Sequence, residues 1–524
     1  MATEREREPD GGRGRLLRRA LAAAGAVCLA GAVLFFFRPP SSLVPGFPAS
    51  AGAGAFVVHV LAFAGAYLLV WGAAGAWVRR AARRAAEALG RPSERRFVAV
   101  LFLLALAFRM FFALGFSGRD LGGGDAACYH SRAVWLLEGK GYVRPGPVVD
   151  GRQTFVPSAY WPVGYPVFLV GLYSLTGVDP RVGIAANAVL SAAAVVVLYW
   201  IGRAMFGVGV ARLAALALCA YVRQMPASLL SATLFTLLML LAVLVAVRAP
   251  LRWYWAGAAG LAGMAATFVR SNGALLVGVL FFVWWGRSRS VRRAAWLAAM
   301  MAAVAAVGPC LWAARNAREL GVAAPLSLNG GDMLLLGAND RATGVVPYDA
   351  FVSEGPYAKV RRLRVDEFDE AGSYRLAKTL AVAWIRAHPF RWLGLGVVKV
   401  GWMTVGTSGW HHRLRWLGRT PVPRWLDVAY RLFERVSYWL VLVGLAVYAK
   451  RAVAGAGEII GRRDFVPLLP LLLFGYFAAQ CFVFAALPRY RLPVEPLMLL
   501  AAVAALCGWR RPGGAAAGQF EPLE

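Results

Sequence analysis

The chain has 524 residues, 59% of them hydrophobic and only 16% charged, and its formal net charge is +30, from 57 lysines and arginines against 27 acids. A soluble protein of this length does not carry that balance, and apolar runs that are continuous rather than alternating exclude a β-barrel. The basic excess lies in short loops between those runs, where anionic headgroups meet it, and no basic domain suited to nucleic acid is present.

In chain order, Arg13, Arg15, Arg18 and Arg19 precede an apolar run over residues 20–37. No small-residue cleavage site follows it, so it reads as a retained first span rather than a signal peptide. Spans are predicted near 17–37, 54–78, 97–116, 181–202, 207–222, 227–247, 253–270, 272–286, 292–313, 429–449, 466–486 and 492–508, each approaching the ~20 apolar residues a bilayer requires. The fold class is therefore an all-α polytopic membrane protein with about twelve transmembrane helices. Two further apolar stretches, 162–176 and 389–407, read as interfacial or re-entrant. The expected organisation is an N-terminal tail with two extra helices over 1–96, a transmembrane core over 97–508 and a short flexible tail over 509–524.

Arginine clusters at 11–19, 79–96, 287–293 and 450–463 all fall in the cytoplasm if neither ambiguous stretch spans. Residues 117–180 and 314–428 then form two large outer loops, expected to carry short juxtamembrane helices. No Asp or Glu occurs between Asp179 and Glu319. The exposed chemistry thus gathers on the outer face, away from nucleotide-activated donors. The six cysteines form no CxxC pair, and His411-His412 reads as interface rather than metal.

Four stretches carry candidate chemistry. In GGGDAACYHSRAVWLLEGKGY, 122–142, Asp125 stands before an amphipathic run that Gly139 ends. That suits a helix N-cap, and equally a carboxylate held over a cavity to accept a hydroxyl proton. In TFVPSAYWPVGYPVFLVGLYSLTG, 154–177, Tyr160, Trp161 and Tyr165 form either an interfacial aromatic belt or a wall for a sugar. Residues 308–340 place Arg315 and Asn316 at a span's outer end, followed by the glycine-rich turns 329–331 and 337–339. Arg489 and Arg491, in LPRYRLPVEP, and Arg270, in FVRSNGALL, stand where the positive-inside rule disfavours them, and guanidinium there matches a lipid phosphate or ordinary headgroups. No P-loop, zinc site, dinucleotide fingerprint or GxSxG elbow occurs.

The succession GDAACYHSRAVWLLEGKGY, YWPVGYPVFL, PCLWAARN, PLSLNGG, LLLGAN and RYRLPVEPLMLLAA resembles the C-type membrane glycosyltransferases, a group that includes protein O-mannosyltransferases and lipid A aminoarabinose transferases. The resemblance covers roughly 97–508. It implies an inverting transfer of a sugar, mannose by default, from a polyprenyl-phosphate donor to a hydroxyl on a protein, glycan or glycolipid. The setting it implies is the extracytoplasmic face of a bacterial cytoplasmic membrane. By motif, Asp125 is the base, Arg489, Arg491 and Arg270 hold the lipid phosphate, and Tyr129, His130, Arg315, Asn316 and Asn339 line the pocket. No cofactor is assigned, and a divalent cation is compatible with the chemistry. The family's acidic pair is here Asp125-Ala126, and no large soluble domain follows the last span. Acceptor recognition therefore falls to the outer loops, chiefly 314–428. The competing readings are a polytopic transporter or lipid flippase, and a scaffold that binds the lipid without chemistry. Six consecutive spans without an acid disfavour ion-coupled transport.

Overall fold

A computed structural model describes residues 75–89, 93–116, 121, 124–221, 228–344, 356–405, 415–416 and 420–508, together with residues 23, 24, 26, 27 and 65. Most of the first two predicted spans, His411-His412 and the tail 509–524 lie outside the described residues. Every other predicted span is helical. Glu94–Phe116 (α2) follows an amphipathic helix, Gly75–Leu89 (α1). Then come Pro180–Phe206 (α5), Val208–Ala220 (α6), Ala232–Arg248 (α7), Trp253–Val269 (α8), Leu276–Ser288 (α9), Val291–Leu320 (α10), Arg424–Ala454 (α15), the short Ala456–Arg462 (α16), Leu469–Val483 (α17) and Glu495–Leu506 (α18). Among the described residues, five segments are long and apolar enough to cross a membrane: Glu94–Phe116, Pro180–Phe206, Val291–Leu320, Arg424–Ala454 and Val466–Val483. The chain is an all-α multi-pass membrane protein.

The membrane helices share one continuous apolar core in which α5 packs against α2, α6 and α7, and α18 against α15. Gly444 of α15 lies directly on Ala502 of α18, with no room for a side chain between them. Several charged side chains are buried among these helices. Arg109 of α2 is fully buried, and it donates to Ser191 Oγ at 2.6 Å and to the carbonyls of Leu218 and Cys219, the C-terminal end of α6. Open carbonyls at a helix C-terminus favour a cation, which makes the charge tolerable there.

The two predicted outer segments fold against each other. The first holds Gly124–Leu137 (α3), an antiparallel hairpin of Val143–Val149 (β1) and Arg152–Pro157 (β2), and Gly164–Thr176 (α4). The hairpin departs from the helices-only expectation. Its two-residue turn, Asp150-Gly151, has positive φ at both positions, as a hairpin matched to strand twist requires. The second holds Asn329–Gly337 (α11), Pro356–Val365 (α12), Glu370–Ala387 (α13) and Pro389–Val405 (α14), with a small core of Leu335, Ala338, Val360, Ala377 and Ala381. Residues 415–416 and 420–421 form a further short hairpin. α4 has 13 residues, about 20 Å, and α14 has 17, about 25 Å, so each is shorter than the ~30 Å hydrocarbon layer.

Glu370 fastens the two segments. Its buried carboxylate accepts from Ser158 Oγ at 2.9 Å and from the Ala159 amide at 2.7 Å, and Arg144 Nε lies 3.4 Å away. Beside it the Leu328 amide donates to the Ala159 carbonyl at 2.8 Å. Glu370→Gln turns an amide donor toward groups that are themselves donors. The expected cost is about 1–3 kcal/mol, read as a lower unfolding midpoint of the detergent-solubilised protein.

Candidate active site

A cavity of about 940 Å³ opens where α3, α8, α11, α13, α17 and the turn Pro488–Arg491 meet. That is the size of a small-molecule site. Its wall is mostly apolar. Among the described wall residues Asp125 is the sole acid, facing three cations, Arg270, Lys378 and Arg489.

Asp125 lies in the first turn of α3, one residue inside the helix rather than at its cap. Gly124 enters the helix at φ +65°, a left-handed conformation that the glycine supplies cheaply. The Asp125 carboxylate is 2.9 Å from Arg489 Nη1, and the two side chains are only 19% and 13% exposed. Tyr490, next to Arg489, gathers the charges: the guanidinium carbons of Arg270 and Arg489 lie 5.7 and 5.9 Å from its ring centroid. Two cations and one carboxylate thus share one ring and one cavity, which favours an anionic guest.

Tyrosines complete the wall. Tyr129, one turn after Asp125, hydrogen-bonds Ser231 Oγ at 3.2 Å. Burial and the nearby Asp125 carboxylate push its phenol above the usual range, so it stays protonated as a donor. Tyr160 donates to Asp332 Oδ2 at 2.6 Å, and Arg364 both pairs with Asp332 and covers the Tyr160 ring at 4.4 Å. Gly164 brings this aromatic segment to Arg270: a Cβ there would stand 2.6 Å from the Phe268 carbonyl carbon and 2.7 Å from the Val269 nitrogen. Only a glycine lets α4 approach the end of α8 so closely.

The structure therefore brings together Asp125, Tyr129, Tyr160, Arg270 and Arg489. It places the remaining candidates off the cavity wall. His130 bonds Tyr173 Oη through Nδ1 at 3.0 Å, and burial lowers its pKa. Tyr165 is fully buried and accepts from Asn187 Nδ2 at 2.8 Å. Arg315 donates to the carbonyls of Ser158 at 2.8 Å and Tyr142 at 3.0 Å, bracing the hairpin. Asn316 donates to the Ala324 carbonyl at 2.8 Å, and Asn339 to the Leu335 carbonyl at 2.7 Å. Residues 329–331, expected as a polar turn, begin α11, and Gly331 rests against Tyr374 of α13.

Arg491 points away from the cavity as well. It is fully buried, pairs with Glu495 at 2.9 Å, donates to the Met403 carbonyl and stacks 4.0 Å from the Tyr438 ring centroid. It fastens the turn to α14 and α15, while Arg489, two residues earlier, faces the cavity. The sequence reading missed Lys378 and Tyr374 of α13, and Asn272 and Gln480, which hydrogen-bond each other at 3.0 Å on the wall. Asn272 stands two residues after Arg270, inside a stretch already marked by its misplaced charge. Nothing in the α13 sequence distinguishes Lys378 from a solvated lysine. Among the described residues, no three His, Cys, Asp or Glu side chains gather as a metal site.

No protein-family model and no curated protein matches the sequence. Solved structures with similar helix arrangements include the oligosaccharyltransferase AglB of Archaeoglobus fulgidus, in complex with an inhibitory peptide and a dolichol-phosphate. It is 11% identical, with 78% of this chain and 50% of that one covered at a TM-score of 0.44. The same enzyme in the apo form gives 12%, 78%, 50% and 0.45. ArnT from Cupriavidus metallidurans, bound to undecaprenyl phosphate, is 14% identical, with 79% of this chain and 78% of that one covered at a TM-score of 0.32. These neighbours are C-type membrane glycosyltransferases, the group whose motifs the sequence resembles. The chain spans about half the length of the oligosaccharyltransferase structures.

Proposed function

We propose that the cavity transfers a sugar from a polyprenyl-phosphate donor to a hydroxyl acceptor. The observation that carries this reading is the grouping of one carboxylate, Asp125, with Arg489 and Arg270 about Tyr490 at the ends of membrane helices. The donor's phosphate seats between the two arginines, and Arg489 exchanges its contact with Asp125 for the phosphate. The freed carboxylate takes the proton of the acceptor hydroxyl as that oxygen attacks the anomeric carbon. The bond from carbon to phosphate oxygen breaks with its electron pair left on the phosphate, whose charge the guanidiniums stabilise. Attack opposite the leaving group inverts the anomeric centre. The lipid tail in the bilayer and the acceptor in the cavity mouth are thereby oriented before reaction.

Mannose is the first sugar to test, and the acceptor is a hydroxyl of a protein, glycan or glycolipid presented to the α11–α13 side of the cavity. The charge map favours the extracytoplasmic face of a bacterial cytoplasmic membrane. The test uses the full chain in liposomes with a panel of radiolabelled polyprenyl-phosphate sugars, mannose first, and membrane extract as acceptor. Transfer of label with release of polyprenyl phosphate is expected. Lipid that crosses the bilayer with its sugar still attached would make the protein a flippase. Failure to consume any donor on the panel would remove the enzyme reading.

A further inference from the structure

A second hollow lies at the other end of two helices that build the cavity. α8 and α10 pack against each other, with Gly260 seated on Met301 and Val304. Their C-terminal ends lead into Arg270 and the segment 322–327, both on the cavity wall. Their N-terminal ends lie together about 25 Å away, the length of the 17-residue α8. There a groove of about 640 Å³ is lined by Arg252, Arg292 and Arg293 with Trp253, Tyr254 and Trp296.

Among the described residues nothing neutralises the charge of this groove. Arg252 donates to Tyr254 Oη at 3.1 Å and Arg293 to the Leu251 carbonyl at 3.0 Å, so each keeps further donors. The Arg292 side chain makes no hydrogen bond in the described structure, and none of the three pairs with a described carboxylate. No acid lies between Asp179 and Glu319 in the sequence, and Glu319, at the far C-terminal end of α10, is the one acid that α8, α9 and α10 carry. The aromatic flanks are open too: Trp253 is 65% and Trp296 50% exposed. Arginines that merely extend to headgroups need no hollow. Here three of them surround a concavity whose edges carry the ring types that settle at a membrane interface.

We propose that this groove binds one anionic phospholipid of the leaflet opposite the cavity, its headgroup phosphate held by Arg252, Arg292 and Arg293 and its upper chains against Trp253 and Trp296. A guanidinium cluster matches a phosphodiester, and the flanking rings match the headgroup–chain boundary. This assignment does not depend on the transferase reading.

The test is native mass spectrometry of the full chain in detergent, titrated with phosphatidylglycerol or with phosphatidylcholine. Wild type retains one phosphatidylglycerol in preference to phosphatidylcholine. Arg252→Gln/Arg292→Gln/Arg293→Gln weakens that binding about tenfold or more, whereas Arg80→Gln/Arg84→Gln/Arg96→Gln, three exposed arginines elsewhere, leaves it intact. If the triple variant fails to fold, Arg292→Gln alone breaks no described hydrogen bond and weakens binding severalfold. The proposal is overturned if the preference survives in the groove variants or is lost equally in the control. It is also overturned if millimolar inorganic phosphate displaces the lipid, since the groove would then read a free anion.

Discussion

Asp125→Asn is expected to lower sugar transfer about 100- to 10,000-fold, the range that a positioned general base contributes, while binding polyprenyl phosphate more tightly than wild type. The tighter binding follows from the ion pair. In the free protein Asp125 occupies Arg489 at 2.9 Å, so the incoming phosphate must displace a carboxylate. Asparagine cannot accept a proton from the acceptor and holds the guanidinium less strongly, so it releases Arg489 to the phosphate. Turnover and lipid affinity measured on the same purified variant separate this from a structural role. A residue that only supports α3 would, on replacement, lose stability and lipid affinity together. Transfer at the wild-type rate would leave Asp125 without a part in the chemistry.

Arg489→Gln and Arg491→Gln are expected to fail in different ways. Arg489→Gln should fold and weaken the donor complex by about 1.5–3 kcal/mol, the worth of a charge-assisted hydrogen bond. That is roughly a tenfold to hundredfold rise in the donor concentration needed for half-maximal rate, with Arg489→Lys recovering part of it. Arg491→Gln strands Glu495, whose side chain is fully buried. Breaking a buried pair at one end costs about 3–5 kcal/mol, so this variant should show a depressed unfolding midpoint and low yield, with ordinary donor affinity in the folded fraction. Thermal unfolding beside donor titration decides it. Equal donor defects in the two variants at equal stability would contradict the division of labour between them.

That division was not legible in the sequence. Arg489 and Arg491 stand in one short motif and break the same charge rule. What separates them is Glu495, Met403 and Tyr438 on one side of the turn and Asp125 on the other, and those contacts are made by distant parts of the chain. Arg315 and Asn316 misled similarly: polar side chains at a helix end suggested a ligand, and they satisfy neighbouring carbonyls instead. Apolar length and local charge are properties of a segment, so the helices, Asp125, Arg270 and the aromatic stretch before α4 could be read directly. The Asp150-Gly151 turn was not picked out, because prolines and a glycine within β1 obscure the strand that leads to it. Lys378 and Gln480 gave no local sign, because their place on the wall depends on how α13 and α17 meet the other helices.

The turn Pro488–Arg491 has a consequence for biosynthesis. Asp125 and its counter-ion Arg489 are 364 positions apart in the sequence. At ordinary ribosomal speeds of about 5–20 residues per second, the carboxylate waits roughly 20–70 s for its partner. In a nascent chain the site therefore holds half of its charge balance, and the cavity is incomplete, until every described helix but α18 has been made. Chains that stall before Pro488–Arg491 emerges carry Asp125 without Arg489, so an interrupted product lacks the group that would engage the donor's phosphate.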